Sequence, residues 1–170
     1  PVEASNQTTI TNGTSASSNN SNSYSGAVYV YKRSGTSWAQ EAYIKAANND
    51  ATDFFGTSVS IDNDTLAVGA HLEDSNQTTI TNGTGASDDD SRDASGAVYV
   101  YKRSGSTWAQ EAYIKAANND AADHFGRVVS IDKDTLAVGA PYEDSNQTTI
   151  TNGTGATSDN SISNSGAVYV

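Results

Sequence analysis

Apolar and polar side chains alternate along short segments rich in β-branched and aromatic residues, and this pattern predicts β-strands. In the first segment, Val28 and Val30 alternate with Tyr29 and Tyr31. Turns rich in Gly, Asp and Asn separate the segments, which favours one antiparallel sheet. The predicted strands are residues 26–32, 38–45, 55–61 and 65–70, with turns at Ser34-Gly35-Thr36 and Asp62-Asn63-Asp64.

The second of these segments is ambiguous between two kinds of secondary structure. Residues 38–51 (WAQEAYIKAANNDA) are rich in Ala, Glu and Lys, and on propensity alone they also fit a helix. The run Asn48-Asn49-Asp50 would stop a helix early, and the neighbouring segments are strands. We therefore favour a strand here.

The chain repeats itself with a period of 70 residues. SGAVYV occurs at 25–30, 95–100 and 165–170, and SNQTTITNGT begins at Ser5, Ser75 and Ser145. Residues 1–70 and 71–140 differ at 17 positions, so 53 of 70 are identical. The prediction is an all-β protein of tandem four-stranded antiparallel sheets, one per 70 residues, that forms an incomplete propeller or an open repeat array.

Each repeat has an apolar part of 45 residues and a polar insert of 25. We divide the chain into residues 1–25, the polar insert of a preceding repeat, and residues 26–95, a unit with strands in 26–70 and an insert at 71–95. A second unit follows at 96–165, with strands in 96–140 and an insert at 141–165, and residues 166–170 begin another repeat. Within the insert, Thr8-Thr9-Ile10-Thr11 before Asn12-Gly13 predicts a small hairpin.

The apolar parts resemble the FG-GAP repeat, the blade unit of integrin α-subunit β-propellers and of many bacterial extracellular proteins. The motifs FG, GAP and GxVYV occur in this order, and in the earlier copy His71 replaces the proline of GAP. Pro1 would end a preceding GAP. The residues that carry the resemblance are Asp123, Phe125, Gly126, Val129, Ser130, Ile131, Asp132, Leu136, Val138, Gly139, Ala140, Pro141, Gly166, Val168, Tyr169 and Val170.

The resemblance implies an order of strands and a location for the inserts. The FG strand would be innermost, followed by the GAP strand, the GxVYV strand and the Trp-containing strand at the outside. Each insert would join the second and third strands, on the face that integrin-like propellers use for ligands. Family propellers commonly have seven blades, so fewer than three repeats do not close a ring.

The net charge of −11 and the isoelectric point of about 4.2 exclude some classes of partner. A polyanionic surface repels phosphate groups, so we expect no nucleic-acid binding. No apolar run is long enough for a membrane helix, and we expect no membrane insertion. Divalent cations become more favourable partners, and the absence of Cys excludes disulfides and thiolate metal sites.

Two pairs of aspartates are candidate calcium ligands, because many family members carry a D-x-[DN]-x-D-G calcium loop at this place. Calcium needs six to eight oxygen ligands, which alternating carboxylates and a carbonyl can supply. These loops are shorter, lack the glycine, and in one copy hold Lys133. A plain two-residue hairpin turn is the alternative. The candidate ligands are Asp62, Asp64, Asp132 and Asp134.

The polar inserts contain two further sets of candidate residues. An acidic run in the second copy is a candidate ligand-binding segment or simply a solvated loop; it comprises Asp88, Asp89, Asp90 and Asp93. Outside the inserts, Asp50 with Asp53 and Asp120 with Asp123, just ahead of each FG, are interpreted as turn-capping residues. Each insert also carries two N-x-[ST] sequons, which would accept glycans in a eukaryotic secreted protein; the asparagines are Asn6, Asn12, Asn76, Asn82, Asn146 and Asn152.

Nothing in the sequence favours catalysis. His71 and His124 are each absent from the other copy, so a repeated histidine active site is excluded. The tyrosines and tryptophans of the strands fit packing between sheets better than carbohydrate stacking; they are Tyr29, Tyr31, Trp38, Tyr43, Tyr99, Tyr101, Trp108 and Tyr113.

The resemblance and the repetition together imply a non-enzymatic protein at the cell surface or outside the cell. It would serve adhesion or surface architecture by binding weakly at many repeated surfaces. Expected partners are other copies of the same repeat and a cell-surface glycan or protein. Two alternatives stay open: the building block of an extracellular β filament, and a calcium-stabilised propeller attached to a hydrolase domain outside this chain.

Overall fold

The computed structural model describes residues 3–170, and all regular secondary structure in that range is β-strand. Pro1, assigned above to the end of a preceding GAP, lies outside the described residues. Within them, no helix is long and apolar enough to cross a membrane. The strands are β1 (Thr11–Asn12), β2 (Val28–Ser34), β3 (Ser37–Ile44), β4 (Ser58–Asp62), β5 (Thr65–Ala70), β6 (Thr81–Asn82), β7 (Ala97–Ser104), β8 (Thr107–Ile114), β9 (Val128–Asp132), β10 (Thr135–Ala140) and β11 (Ala167–Tyr169).

The central sheet has the strand order β4-β5-β7-β8-β6, with every neighbouring pair antiparallel. This confirms the expected order of FG, GAP, GxVYV and Trp-containing strands. The predicted number of four strands is wrong, because the insert adds a short fifth strand. Thr81 pairs with Tyr113 at the outer edge of β8, so the Asn-Gly segment extends the sheet rather than closing a hairpin of its own.

The two flanking sheets contain three strands each, in the orders β1-β3-β2 and β11-β10-β9. The first of them is equivalent to the outer strands of the central sheet, β6-β8-β7. The second is equivalent to its inner strands, β7-β5-β4. The ambiguous segment at residues 38–51 is a strand up to Ile44 and irregular afterwards, which excludes the helical alternative. The all-β prediction and the open, unclosed arrangement are confirmed.

The sheets stack face to face, and the apolar core fills the two seams between them. In β5, Leu66 and Val68 belong to the cluster at the first seam, whereas Ala67 belongs to the cluster at the second. A strand covered on both faces needs apolar residues at consecutive positions, which explains why TLAVGA is a continuous apolar run. Residue 95 is the boundary between the two units defined from the sequence. The central sheet contains strands from both units, since β5 precedes this residue and β7 follows it.

Two glycines allow backbones to meet at the seams. Gly96 has a φ of +85°, and a Cβ there would lie 2.7 Å from the Phe125 nitrogen and against its carbonyl oxygen. Gly69, in β5, faces the backbone of Gly126 in the next repeat, and a Cβ there would lie 3.0 Å from the Gly126 carbonyl carbon. The glycines of GxVYV and GAP are therefore packing requirements.

Candidate ligand-binding face

The polar inserts all lie at one end of the strands, and this end forms one edge of the stack of sheets. β5 ends at Ala70 and β7 begins at Ala97, so the second insert connects them at that edge. The loop ahead of β4 reaches the same edge, because the Phe54 amide donates a hydrogen bond of 3.1 Å to the Tyr24 carbonyl. We call this edge the insert face; it comprises residues 3–25, 46–57, 71–95, 116–127 and 141–165. The β4–β5 and β7–β8 turns lie on the opposite edge.

A buried ion pair holds the base of the second insert. The Lys115 ammonium lies 2.7 Å from a Glu73 carboxylate oxygen and 2.8 Å from the Ser95 hydroxyl, and the Lys115 side chain is 0% exposed. The Tyr113 hydroxyl donates to the other Glu73 oxygen at 2.8 Å. Burial lowers the pKa of Lys115, and the Glu73 charge opposes that shift. Glu73 and Ser95 stand at the two ends of the insert, so the network fixes both ends.

The same arrangement recurs in the other copies. Lys45 lies 2.9 Å from Glu3 and 2.7 Å from the Ser25 hydroxyl. In the third copy Glu143 is 2% exposed and accepts hydrogen bonds from Asn118 and Ser145. Each insert therefore begins at a polar network that is wholly or partly buried.

Two buried carboxyl groups lie beside these bases. Burial is the main cause that raises the pKa of Asp53 to about 8, with Glu73, Asp50 and Asp74 adding to it and the Asp50 amide opposing it. Asp123, the equivalent residue, has its pKa raised to about 7, again chiefly by burial. One of their contacts is a turn cap: the Asp53 side chain accepts a hydrogen bond of 3.2 Å from the Asp50 amide.

The acidic run of the second insert is exposed and faces the loop ahead of FG. Asp89 accepts hydrogen bonds from the Ser91 amide and hydroxyl at 3.0 and 2.6 Å, which lowers its pKa. Asp88 and Asp90 lie close enough to Asp50 to raise its pKa, after the larger effect of burial. The backbone carbonyl of Asp93 accepts a hydrogen bond of 2.9 Å from Ala122. The run thus gives the insert face a concentrated negative charge.

The candidate calcium ligands lie on the opposite edge and contact protein donors. Asp64 forms an ion pair of 2.5 Å with Arg103. Asp62 accepts a hydrogen bond of 2.8 Å from the amide of Lys133, which joins the turns of two neighbouring sheets. Asp132 lies 3.7 Å from the ammonium of Lys133.

These contacts do not fit a calcium site. Calcium requires six to eight oxygens around one point, and nowhere in residues 3–170 do three or more His, Cys, Asp or Glu side chains gather in a way that could hold a metal. The only other candidate, Asp134, is also an exposed turn residue. The turns work here as hydrogen-bonded links between sheets.

The sequon asparagines differ in their surroundings. The Asn12 side chain accepts a hydrogen bond of 2.8 Å from the Trp108 amide and donates one of 3.4 Å to its carbonyl, so a glycan there would disturb the seam. The Asn76 amide donates to the Ser91 hydroxyl at 2.8 Å. All six asparagines are exposed: Asn6, Asn12, Asn76, Asn82, Asn146 and Asn152.

His71 and His124 do not recur at the equivalent positions of the other copies. In the structure they lie side by side in a line of aromatic rings. The ring centroids of His71 and His124 are 5.4 Å apart, and Phe54 lies 5.9 Å from His71. Tyr24 extends the line from Phe54 at 5.6 Å, and Tyr142 extends it from His124 at 4.9 Å. We call these five residues the ring line; it runs across both seams of the insert face.

The environment of the ring line favours neutral histidines. Burial, with the Arg127 charge and His124 adding to it, lowers the pKa of His71 to about 4. Burial also lowers the pKa of His124. The Arg127 guanidinium donates to Nε2 of His71 at 2.6 Å, so the neutral His71 ring carries its hydrogen on Nδ1.

Differences between the copies concentrate on the insert face. Of the 17 positions that differ between residues 1–70 and 71–140, 13 lie in the insert or in the loop at positions 46–57. These segments make up 37 of the 70 positions. The ring line consists entirely of such positions, whereas Glu73, Ser95 and Lys115 are the same in each copy that contains them. A constant frame therefore carries a variable face.

Sequence reasoning missed both the buried ion pairs and the ring line. A glutamate and a lysine recur in a chain with only nine Lys and Arg residues, and this repetition was the available signal for the pair. The strand aromatics behave as predicted where a sheet covers them: Trp108 is 2% exposed, whereas Trp38 is 67% exposed.

Comparison with known families gives one match. A family model described as FG-GAP repeat matches residues 38–86 and 108–170, which together are 112 of the 170 residues. Both matches begin at the tryptophan of an outer strand, β3 or β8. No curated protein matches the chain.

Proposed function

Because the chain belongs to the FG-GAP repeat family, we propose that it is a non-enzymatic extracellular repeat protein that attaches to a cell surface or matrix through its insert face. Each repeat contributes one weak contact, and the series of repeats supplies the strength of attachment.

The observation that carries this proposal is the contrast between frame and face. The ion pairs Lys45–Glu3 and Lys115–Glu73 are equivalent and hold the ends of the first and second inserts. Most of the positions that differ between residues 1–70 and 71–140 lie above them. Rigid elements that position variable loops are the usual architecture of binding proteins.

Multivalent attachment also fits the part of the insert face that repeats, because 24 of its 37 positions are identical in residues 1–70 and 71–140. An effective concentration in the millimolar range for linked sites raises the avidity of weak sites by about 10²–10⁴ without any new contact. Stacked sheets fix the spacing between the inserts, so that several contacts can form together on one surface.

Retention of coated beads tests the proposal. The chain has no cysteine, so Ser106→Cys places a single thiol on the exposed β7–β8 turn, opposite the inserts. Beads coupled through this thiol at graded densities are washed over a panel of cell and matrix surfaces. We expect retention on at least one surface, with a steep rise above a threshold density. No retention at any density, or retention in simple proportion to density, would contradict multivalent adhesion.

A further inference from the structure

The ring line has exposed aromatic residues at both ends. Tyr24 is 49% exposed and Tyr142 is 44% exposed, while His71 between them is buried. Successive ring centroids are 4.9 to 5.9 Å apart. Exposed aromatic rings offer an apolar face on which the C–H groups of a sugar can pack.

One cation, Arg127, lies beside the ring line without a carboxylate partner. Arg127 is exposed, and in residues 3–170 no Asp or Glu oxygen lies within ion-pair distance of it. Its side-chain partner is His71, which is neutral because burial and the Arg127 charge hold its pKa near 4. Among residues 3–170, Arg33 and Lys102 also lack an ion pair, but they lie on β2 and β7, outside the insert face, whereas Arg127 lies on it.

The Arg127 side chain is also held in place. Its guanidinium donates to His71, and its backbone amide donates a hydrogen bond of 3.1 Å to the carbonyl of His124. The equivalent residue of the first copy is Thr57, whose hydroxyl instead donates to the Phe54 carbonyl at 2.6 Å. The cation therefore exists at one seam only.

We propose that Arg127 and the ring line form a binding site for a glycan that ends in a carboxylate-bearing sugar. The sugar ring packs on Tyr142, the exposed ring next to His124, and its carboxylate accepts charge-assisted hydrogen bonds from the guanidinium. This inference rests on the proposed adhesive function and names the ligand class of the same face.

The surrounding charges favour a single carboxylate over a polyanion. Asp93 acts on His124 from the neighbouring insert, and the acidic run Asp88–Asp90 lies on the same face. A ligand with many charges meets this repulsion along its whole length. A sugar with one charge contacts only Arg127.

Matched ligands and matched variants test the site. Beads display glucuronic acid, glucose or glutamic acid at equal density, and the apparent affinity of the whole chain is measured for each. Arg127→Thr installs the residue of the first copy. The control Lys133→Asn also installs the residue of the first copy and removes the same charge, but on the opposite edge. Melting temperatures verify that both variants are folded.

We expect glucuronate beads to bind at least about tenfold more tightly than glucose or glutamate beads, since one charge-assisted hydrogen bond accounts for about that factor. Arg127→Thr should remove this preference, and Lys133→Asn should change the affinity less than about twofold. Equal binding of glucose, equal binding of glutamate, or equal losses in both variants would overturn the proposal.

The outcome also separates this site from the general function. If glucuronate does not bind but coated beads still attach to a surface, the sugar assignment is wrong and the adhesive function stands. If coated beads attach to nothing, the proposed function itself is wrong.

Discussion

Alanine at Gly69 should destabilise the stacked sheets, whereas alanine at the equivalent Gly139 should not. A Cβ on Gly69 would lie against the Gly126 carbonyl oxygen of the next repeat, well inside van der Waals contact. The same atom on Gly139 would lie 3.7 and 3.8 Å from atoms of Val128, at ordinary contact distances. The two glycines occupy the same strand position in successive repeats, so intrinsic propensities cancel.

The expected effect at Gly69 follows from the atoms involved. Overpacking a well-filled contact costs about 1–3 kcal/mol, and here the obstacle is backbone, which has no alternative rotamer. The Ser58 hydroxyl also donates to the Gly126 carbonyl at 2.7 Å, and loss of that bond costs about 1 kcal/mol. We therefore expect Gly69→Ala to lower the free energy of unfolding by about 2–4 kcal/mol.

The expected effect at Gly139 is small and of opposite sign. Alanine restricts the unfolded chain, which stabilises a compatible site by about 0.4–1 kcal/mol. Urea unfolding followed by tryptophan fluorescence gives the midpoint and slope for each variant. Equal changes in both variants, or a tolerated Gly69→Ala, would refute the packing of β5 against the next repeat.

Three further predictions concern the buried groups and the tryptophans. Lys115→Met should cost about 3–5 kcal/mol in unfolding free energy because it leaves Glu73 charged and buried, and adding Glu73→Leu should recover most of the loss; no recovery would contradict a paired charge. The pKa of Asp53 is raised to about 8 from an ordinary value of 3.8, so the folded state retains a proton that the unfolded state loses, and stability should fall as pH rises between about 4 and 8. Asp53→Asn should flatten that dependence in pH-resolved unfolding by an upper limit of about 6 kcal/mol, and an unchanged pH profile would refute the shift. Acrylamide should quench the fluorescence of Trp38 far more than that of Trp108, measured in single-tryptophan variants, because their exposures are 67% and 2%; equal quenching would contradict the covered position of β8.

The strand positions could be predicted from the sequence because they depend on local patterns, whereas the strand order was implied by the family resemblance. Alternation in β2 and the continuous apolar run in β5 each reflect how many faces of the strand are covered. The fifth strand could not be predicted in the same way. Asn-Gly is a strong local turn signal, but Thr81 and Asn82 pair instead with the free edge of β8, which is a tertiary contact.

The candidate site was harder to predict, for a related reason. His71 and His124 are 53 positions apart, and neither recurs in the other copy, so a search for repeated residues discards both. They meet because the start of an insert lies beside the FG loop of the following repeat. That adjacency is a property of the seam, which no local pattern encodes.

The orientation of the chain on a bead tests the central claim most directly. Coupling through Ser106→Cys leaves the insert face free, and coupling through Asp90→Cys, on the exposed acidic run, turns it toward the bead. At equal coating density, we predict that beads coupled through Ser106→Cys are retained on the target surface and beads coupled through Asp90→Cys are released. Equal retention in both orientations would contradict the assignment of adhesion to the insert face.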